Sequence, residues 1–146
     1  MIYTIIEDGE SLSETDKFFV RFKDDLKAKK DVEIIAKWIR KIGSEGALER
    51  FFRPESNGKA IPVEASSLRL YCYRVNDEIL ILGNGGQKTS QKVKDSPDAF
   101  PHFQIINGLA FVLKLKTTQG TITVSKNQLS GELTFFLETN QNERDI

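Results

Sequence analysis

The sequence predicts an α+β fold in which a small antiparallel sheet packs against two N-terminal helices, with a further helix and late strands added after it. Three observations carry this reading. A short β-rich run is followed by two stretches whose apolar residues recur every three or four positions. A hydrophobic hairpin lies mid-chain, between Leu68 and Leu82. A third helical stripe and two more β-rich runs follow the hairpin.

Taken in order, Tyr3–Glu7 reads as a first strand ended by Asp8 and Gly9. Ser13 to Asp16 carries the polar residues that favour a helix start, and Phe18, Phe19, Phe22 and Leu26 form one apolar face. Lys27–Lys30 reads as the solvated last turn of that helix, complementing its dipole. Asp31 then caps a second helix bearing Val32, Ile35, Trp38, Ile39 and Ile42, closed by Gly43, with Trp38 as a core anchor. Glu45 to Phe52 adds a short helical segment, and Arg53–Gly58 is a turn-rich connector. Ile61–Ala65 reads as a strand, with Pro62, which removes a ladder donor, confined to an edge position or to the strand's first residues.

In the hairpin, Leu68, Leu70 and Cys72 point one way, and Arg69, Tyr71 and Tyr73 the other. After the turn at Asn76-Asp77, the continuous apolar run Ile79–Leu82 requires cover on both sheet faces, and the pair reads as an outer and a central strand. The second strand is expected to break at Gly83-Asn-Gly-Gly86. Ser96-Pro97 reads as a helix start, with Phe100, Phe103, Ile106, Ala110 and Leu113 as the stripe of a helix ending near Gly120, and Pro101 either tolerated in its first turn or delaying its start by a few residues. Thr121–Val124 and Leu133–Leu137 are the late strand candidates, and residues 140–146 form a polar tail.

At 146 residues the chain is read as one domain, 1–146, large enough to bury a core without metals or disulfides. The formal charge is zero, yet it is unevenly spread. Residues 1–49 hold 9 basic and 11 acidic groups, residues 50–94 hold 8 and 4, and residues 95–146 hold 4 and 6. The middle segment, at +4, contains the hairpin. The single cysteine, Cys72, reads as a small buried hydrophobe. No run is long enough to cross a bilayer and no leader opens the chain, so a cytoplasmic protein without membrane attachment is expected.

Metal and cofactor chemistry is not expected, since His102 is the only histidine and no second ligand cluster accompanies it. The Gly83–Gly86 run meets neither the GxxxxGK[ST] nor the GxGxxG pattern, which leaves a bulge or bend at a strand end. The chemical candidate is the basic set Arg69, Arg74, Lys88, Lys92 and Lys94. Tyr71 and Tyr73 are interleaved with it, and Gln91 adds a polar contact, a mixture suited to phosphates and stacked bases.

The element order, with Leu68-Arg-Leu-Tyr-Cys-Tyr73, Ile79-Leu-Ile-Leu82, Lys88-Thr-Ser-Gln-Lys92 and Glu49-Arg-Phe-Phe-Arg-Pro-Glu55, resembles the RelE/ParE toxin superfamily, and within it the HigB-like branch. The resemblance covers about residues 1–115 and is most specific over 49–98, leaving 116–146 as a C-terminal extension. It implies a small sheet backed by two N-terminal helices. It further implies a toxin of a type II toxin–antitoxin system that cleaves mRNA on the ribosome without a metal, neutralised by a helix-turn-helix antitoxin. In that scheme Arg69 holds the scissile phosphate, Lys88 stabilises the same charge, and Lys92 and Lys94 serve phosphate binding or proton transfer. Tyr71, Tyr73, Arg74 and Gln91 contact RNA. Several features depart from the pattern: no late phenol or imidazole has a clear counterpart, Gly85-Gly86 replaces an aromatic residue, and the chain is neutral. They leave a second reading, a non-catalytic module of the same fold that binds RNA or a protein partner.

Overall fold

Strand β1 (Ile2–Thr4) leads to Ser13, which caps helix α1 (Glu14–Phe22). The Ser13 hydroxyl accepts from the Asp16 amide, and the Asp16 carboxylate accepts from the Ser13 amide, so two otherwise orphaned donors are satisfied reciprocally. A computed structural model describes residues 1–55, 58–61 and 66–137. Within these residues, helix α2 (Lys29–Glu45) follows and is closed by Gly46 at φ 98°. A 3₁₀ turn over Glu49–Phe51 then precedes the hairpin of β2 (Arg53–Glu55) and β3 (Gly58–Ala60). Strands β4 (Leu68–Asn76) and β5 (Ile79–Gln87) form the long central hairpin. Helix α3 (Phe100–Gln119) and a separate two-stranded ribbon, β6 (Ile122–Val124) with β7 (Leu129–Gly131), complete the chain.

The main sheet has the order β1-β5-β4-β3-β2, with β1 parallel to β5 and the remaining pairs antiparallel. It is therefore mixed, where a purely antiparallel sheet was expected. The two helices inserted between β1 and β2 carry the chain across one face and allow the parallel pairing. Neither hairpin strand is outer: β4 lies between β3 and β5, and β5 between β4 and β1.

The alternation read from the sequence holds. Leu68, Leu70, Cys72, Leu80 and Leu82 enter one core with Phe18 and Phe22 of α1 and Ile35 and Ile42 of α2. Tyr71, Ile79 and Ile81 enter a second core with Phe103, Ile106 and Leu113 of α3. Both faces are covered, which is why Ile79–Leu82 is apolar throughout. Cys72 is fully buried, and burial pushes its thiol up, away from nucleophilic use.

Other boundaries differ from the sequence reading. Helix α1 stops at Phe22, leaving Leu26 87% exposed rather than on the apolar face. Lys29 and Lys30 begin α2 instead of ending α1. Helix α2 runs past Gly43 to Glu45 and is closed by Gly46 instead, whose amide donates to Ile42 O. Trp38 is half-buried and packs against Phe51, their ring centroids 5.5 Å apart. The connector at 53–58 contains a hairpin, so the meander has four strands. Of the strand expected over 61–65, Ile61 follows β3 and is buried, and residues 62–65 lie outside the described residues, as do 140–146. Helix α3 starts at Phe100, so Pro101 delays it, and Ser96 is not its cap. Leu133–Leu137 forms no strand; β7 takes Leu129–Gly131 in its place, where the turn at Ser125 to Gln128 sets the register.

Candidate nucleic-acid interface

The glycine run does not end β5. The register passes from Cys72 opposite Leu82 to Leu70 opposite Gly85, so Gly83 and Asn84 form a bulge and the strand continues to Gln87. Glycine is required there by close approach. A Cβ on Gly83 would stand 2.7 Å from Ile106 Cδ1, one on Gly85 would fall on the carbonyl oxygen of Arg69, and one on Gly86 would stand 2.5 Å from Asp98 Oδ2. The space a phosphate would occupy at this run is filled by the protein's own α3, β4 and Asp98.

Asp98 is the clamp at this strand end. Its Oδ2 accepts from the Gln87 amide at 2.7 Å and its Oδ1 accepts from Arg21 Nη2 of α1 at 2.6 Å. Burial alone would raise the Asp98 pKa, but the Gln87 amide and the Arg21 guanidinium outweigh it and hold the carboxyl below its usual value. Thr15 Oγ1 adds a 2.8 Å bond to the Gly83 carbonyl, tying α1 to the bulge. The Lys88 amide donates to Ser67 O at 2.7 Å, which keeps β4 and β5 together past the bulge.

Beyond Gln87 the chain forms the loop that carries Lys88, Gln91, Lys92 and Lys94, ending in a 3₁₀ turn over Val93–Asp95. Its shape is set by the fully buried Ser96. The Ser96 hydroxyl accepts from the Ser90 amide at 3.0 Å and donates to Lys92 O at 3.3 Å, and the Ser96 amide donates to Val93 O. Gln91, Lys92 and Lys94 are exposed and Lys88 is half-buried.

The other candidates sit elsewhere. Arg69 is 6% exposed, and its Nη1 donates to Ser66 O at 2.6 Å and to Leu68 O at 3.1 Å. Tyr71 is fully buried, edge-on to Phe103 at 5.4 Å, so its ring offers no face to a base. Tyr73 is half-buried on the α3 side and lines a shallow cavity of about 490 Å³ with Val75, Leu113, Lys114, Thr117 and Val124. Burial there raises its phenol pKa. Arg74 is committed to structure: Nε donates to Ala47 O at 2.7 Å and Nη2 pairs with Asp77. The structure thus groups Lys88, Gln91, Lys92 and Lys94 on one loop. Arg69 and Tyr71 are held in the interior, and Tyr73 and Arg74 serve packing and the junction with α2.

The sequence reading missed the Arg21–Asp98–Gln87 clamp and the role of Ser96, since long-range partners leave no local spacing. It also missed a row of cations on α2, which helical spacing would have exposed had Lys29 and Lys30 been assigned to that helix. Among the described residues no group of three or more His, Cys, Asp or Glu side chains is placed to hold a metal, and no helix is long and apolar enough to cross a membrane. No protein-family model matches the chain, and neither a curated protein nor a solved structure matches it.

Proposed function

We propose that this chain is a RelE-like module that binds RNA through the loop of residues 88–94 without cleaving it. One observation carries the reading. The guanidinium assigned to the scissile phosphate is inside the protein and bonded to backbone carbonyls, whereas Gln91, Lys92 and Lys94 stand in solvent on a loop fixed by Ser96. Phosphoryl transfer from a 2′-hydroxyl needs donors aimed at the charge that develops on the phosphate. A phosphate cannot reach Arg69 in this arrangement, but it can reach the loop lysines, and binding then follows from charge and counterion release. Two helices on one face of the sheet, followed by a meander, support the family resemblance on which the RNA assignment rests. The test is fluorescence anisotropy with a labelled single-stranded RNA. Wild type is expected to bind, and Lys92→Gln/Lys94→Gln to bind several-fold more weakly. Equal affinity of the two proteins would refute the loop assignment.

The register favours a second reading. Arg69 pairs with Gly86, two residues before Lys88, so both basic residues lie at one end of the central hairpin. On this reading the chain is a HigB-like toxin that cleaves mRNA on the ribosome and is held in check by a helix-turn-helix antitoxin. Induced expression with mapping of mRNA 5′ ends separates the two. Cleavage abolished by Arg69→Lys at equal protein level would establish the toxin reading in place of the first.

A further inference from the structure

Helix α2 carries cations where a helix does not want them. Lys29 and Lys30 occupy its first turn beside Asp31, the last turn holds no basic residue, and the preceding Ala28 provides no side-chain cap. The N-terminal end of the macrodipole is positive, so these two lysines oppose the helix rather than support it. At 100° per residue, Lys29, Lys30, Lys37, Arg40 and Lys41 fall within an arc of about 120°, and all five are exposed. The arc also holds Glu33, with Glu45 about 40° past one end and Asp31 further round, which leaves five cations against one carboxylate within it. None of the five is ion-paired among the described residues.

Aromatic rings hold the C-terminal end of this row in place. Lys41 Nζ lies 5.0 Å from the Trp38 ring centroid and 5.1 Å from that of Phe51, and the Arg50 guanidinium lies 5.2 Å from the same Phe51 ring. A cation stacked on a ring keeps its N–H donors for an outside acceptor, where a carboxylate partner would consume them. Lys37 and Lys41 are one turn apart, about 6 Å along the axis.

We infer that the exposed arc of α2, with Arg50, is a second contact surface for the phosphate backbone of RNA, additional to the loop at 88–94. The inference rests on the reading of this chain as an RNA-binding module. A row of unpaired cations, set partly against the helix dipole and backed by rings, complements a linear polyanion. It offers no apolar area of the kind a protein interface buries at its centre.

Three proteins are compared: wild type, Lys30→Gln/Lys37→Gln/Lys41→Gln, and Lys92→Gln/Lys94→Gln. Each is titrated against a fluorescein-labelled single-stranded RNA of twenty nucleotides from 50 to 200 mM salt. Glutamine keeps helix propensity, and circular dichroism with thermal melting verifies folding. The α2 variant should bind at least about tenfold more weakly, with the slope of log affinity against log salt reduced by about 2, as the loss of three phosphate contacts requires. Loss of Lys30 from the first turn should also leave its Tm equal to or above that of wild type. An unchanged affinity and slope in the α2 variant overturns the inference, whatever the loop variant does. A loss confined to the α2 variant supports it while refuting the loop assignment. Absence of RNA binding by wild type refutes both readings. A loss of binding to anionic phospholipid vesicles with RNA affinity intact overturns it in favour of a membrane surface.

Discussion

Arg69 shows how far a residue type and its spacing can carry an argument. Alternation along β4 gives the parity of each side chain, but not what covers that face. Helix α3 covers it at Tyr71, and Arg69 is turned in on Ser66 O and Leu68 O, so a site written from the hairpin alone includes two interior residues. The buried guanidinium donates to two backbone oxygens, so Arg69→Ala should lower stability by about 2–4 kcal/mol, as expected for charge-assisted bonds lost from the interior. Denaturant unfolding measures this, and a variant as stable as wild type would contradict the interior role. Gly85 makes the complementary case. Its glycine identity was legible as a bend or bulge, whereas the reason, contact with the Arg69 carbonyl, needs the register. Gly85→Ala should destabilise by about 1–3 kcal/mol or more, because backbone has to move to admit the methyl group.

At the scale of elements, what the sequence made readable was periodicity. Helices α1, α2 and α3, the central hairpin, its turn and the sorting of Leu68, Leu70 and Cys72 from Tyr71 and Tyr73 all follow from spacings of two or of three to four. What it hid were boundaries and pairings. Lys27–Lys30 looks like a helix end because cations suit a C-terminus, yet α2 begins there, and the conflict with the dipole is visible only after the boundary is known. The β2–β3 hairpin is too short for alternation to register, and Leu133–Leu137 has strand composition without a strand neighbour. Helix α1 is anchored through Phe18, which is fully buried against the sheet and edge-on to Phe19. Phe18→Ala should cost about 3–5 kcal/mol. Trp38→Ala should cost less, since the indole is half-buried, and comparison of the two by thermal unfolding checks the ranking.

For the whole molecule, the two cores meet at the sheet, and α1 and α3 are joined around its end by the Arg21–Asp98 pair. His102 sits one turn after Asp98. Burial lowers its pKa against the opposing pull of Glu14 and Asp98, and its buried Nδ1 has no hydrogen-bond partner among the described residues. A histidine whose folded pKa lies below the unfolded value of about 6.5 leaves the unfolded chain holding more protons in acid. Stability should therefore fall as pH drops through about 6.5, and His102→Gln should flatten that part of the profile, measured as Tm between pH 8 and pH 5. The Asp98 carboxyl, held below its ordinary value, adds stability that is lost only at lower pH, as the pH falls through its depressed pKa.

On the function proposed above, the chain holds RNA through charge and leaves it intact. The direct measurement uses one sample for both halves of that claim. A 5′-labelled RNA is equilibrated with wild type at 50 and at 200 mM salt, its binding is read, and the same RNA is then run on a denaturing gel. The expected result is binding that weakens steeply with salt, as phosphate contacts require, with every recovered RNA at full length. Binding that ignores salt, or shortened RNA whose appearance depends on Arg69, would contradict it.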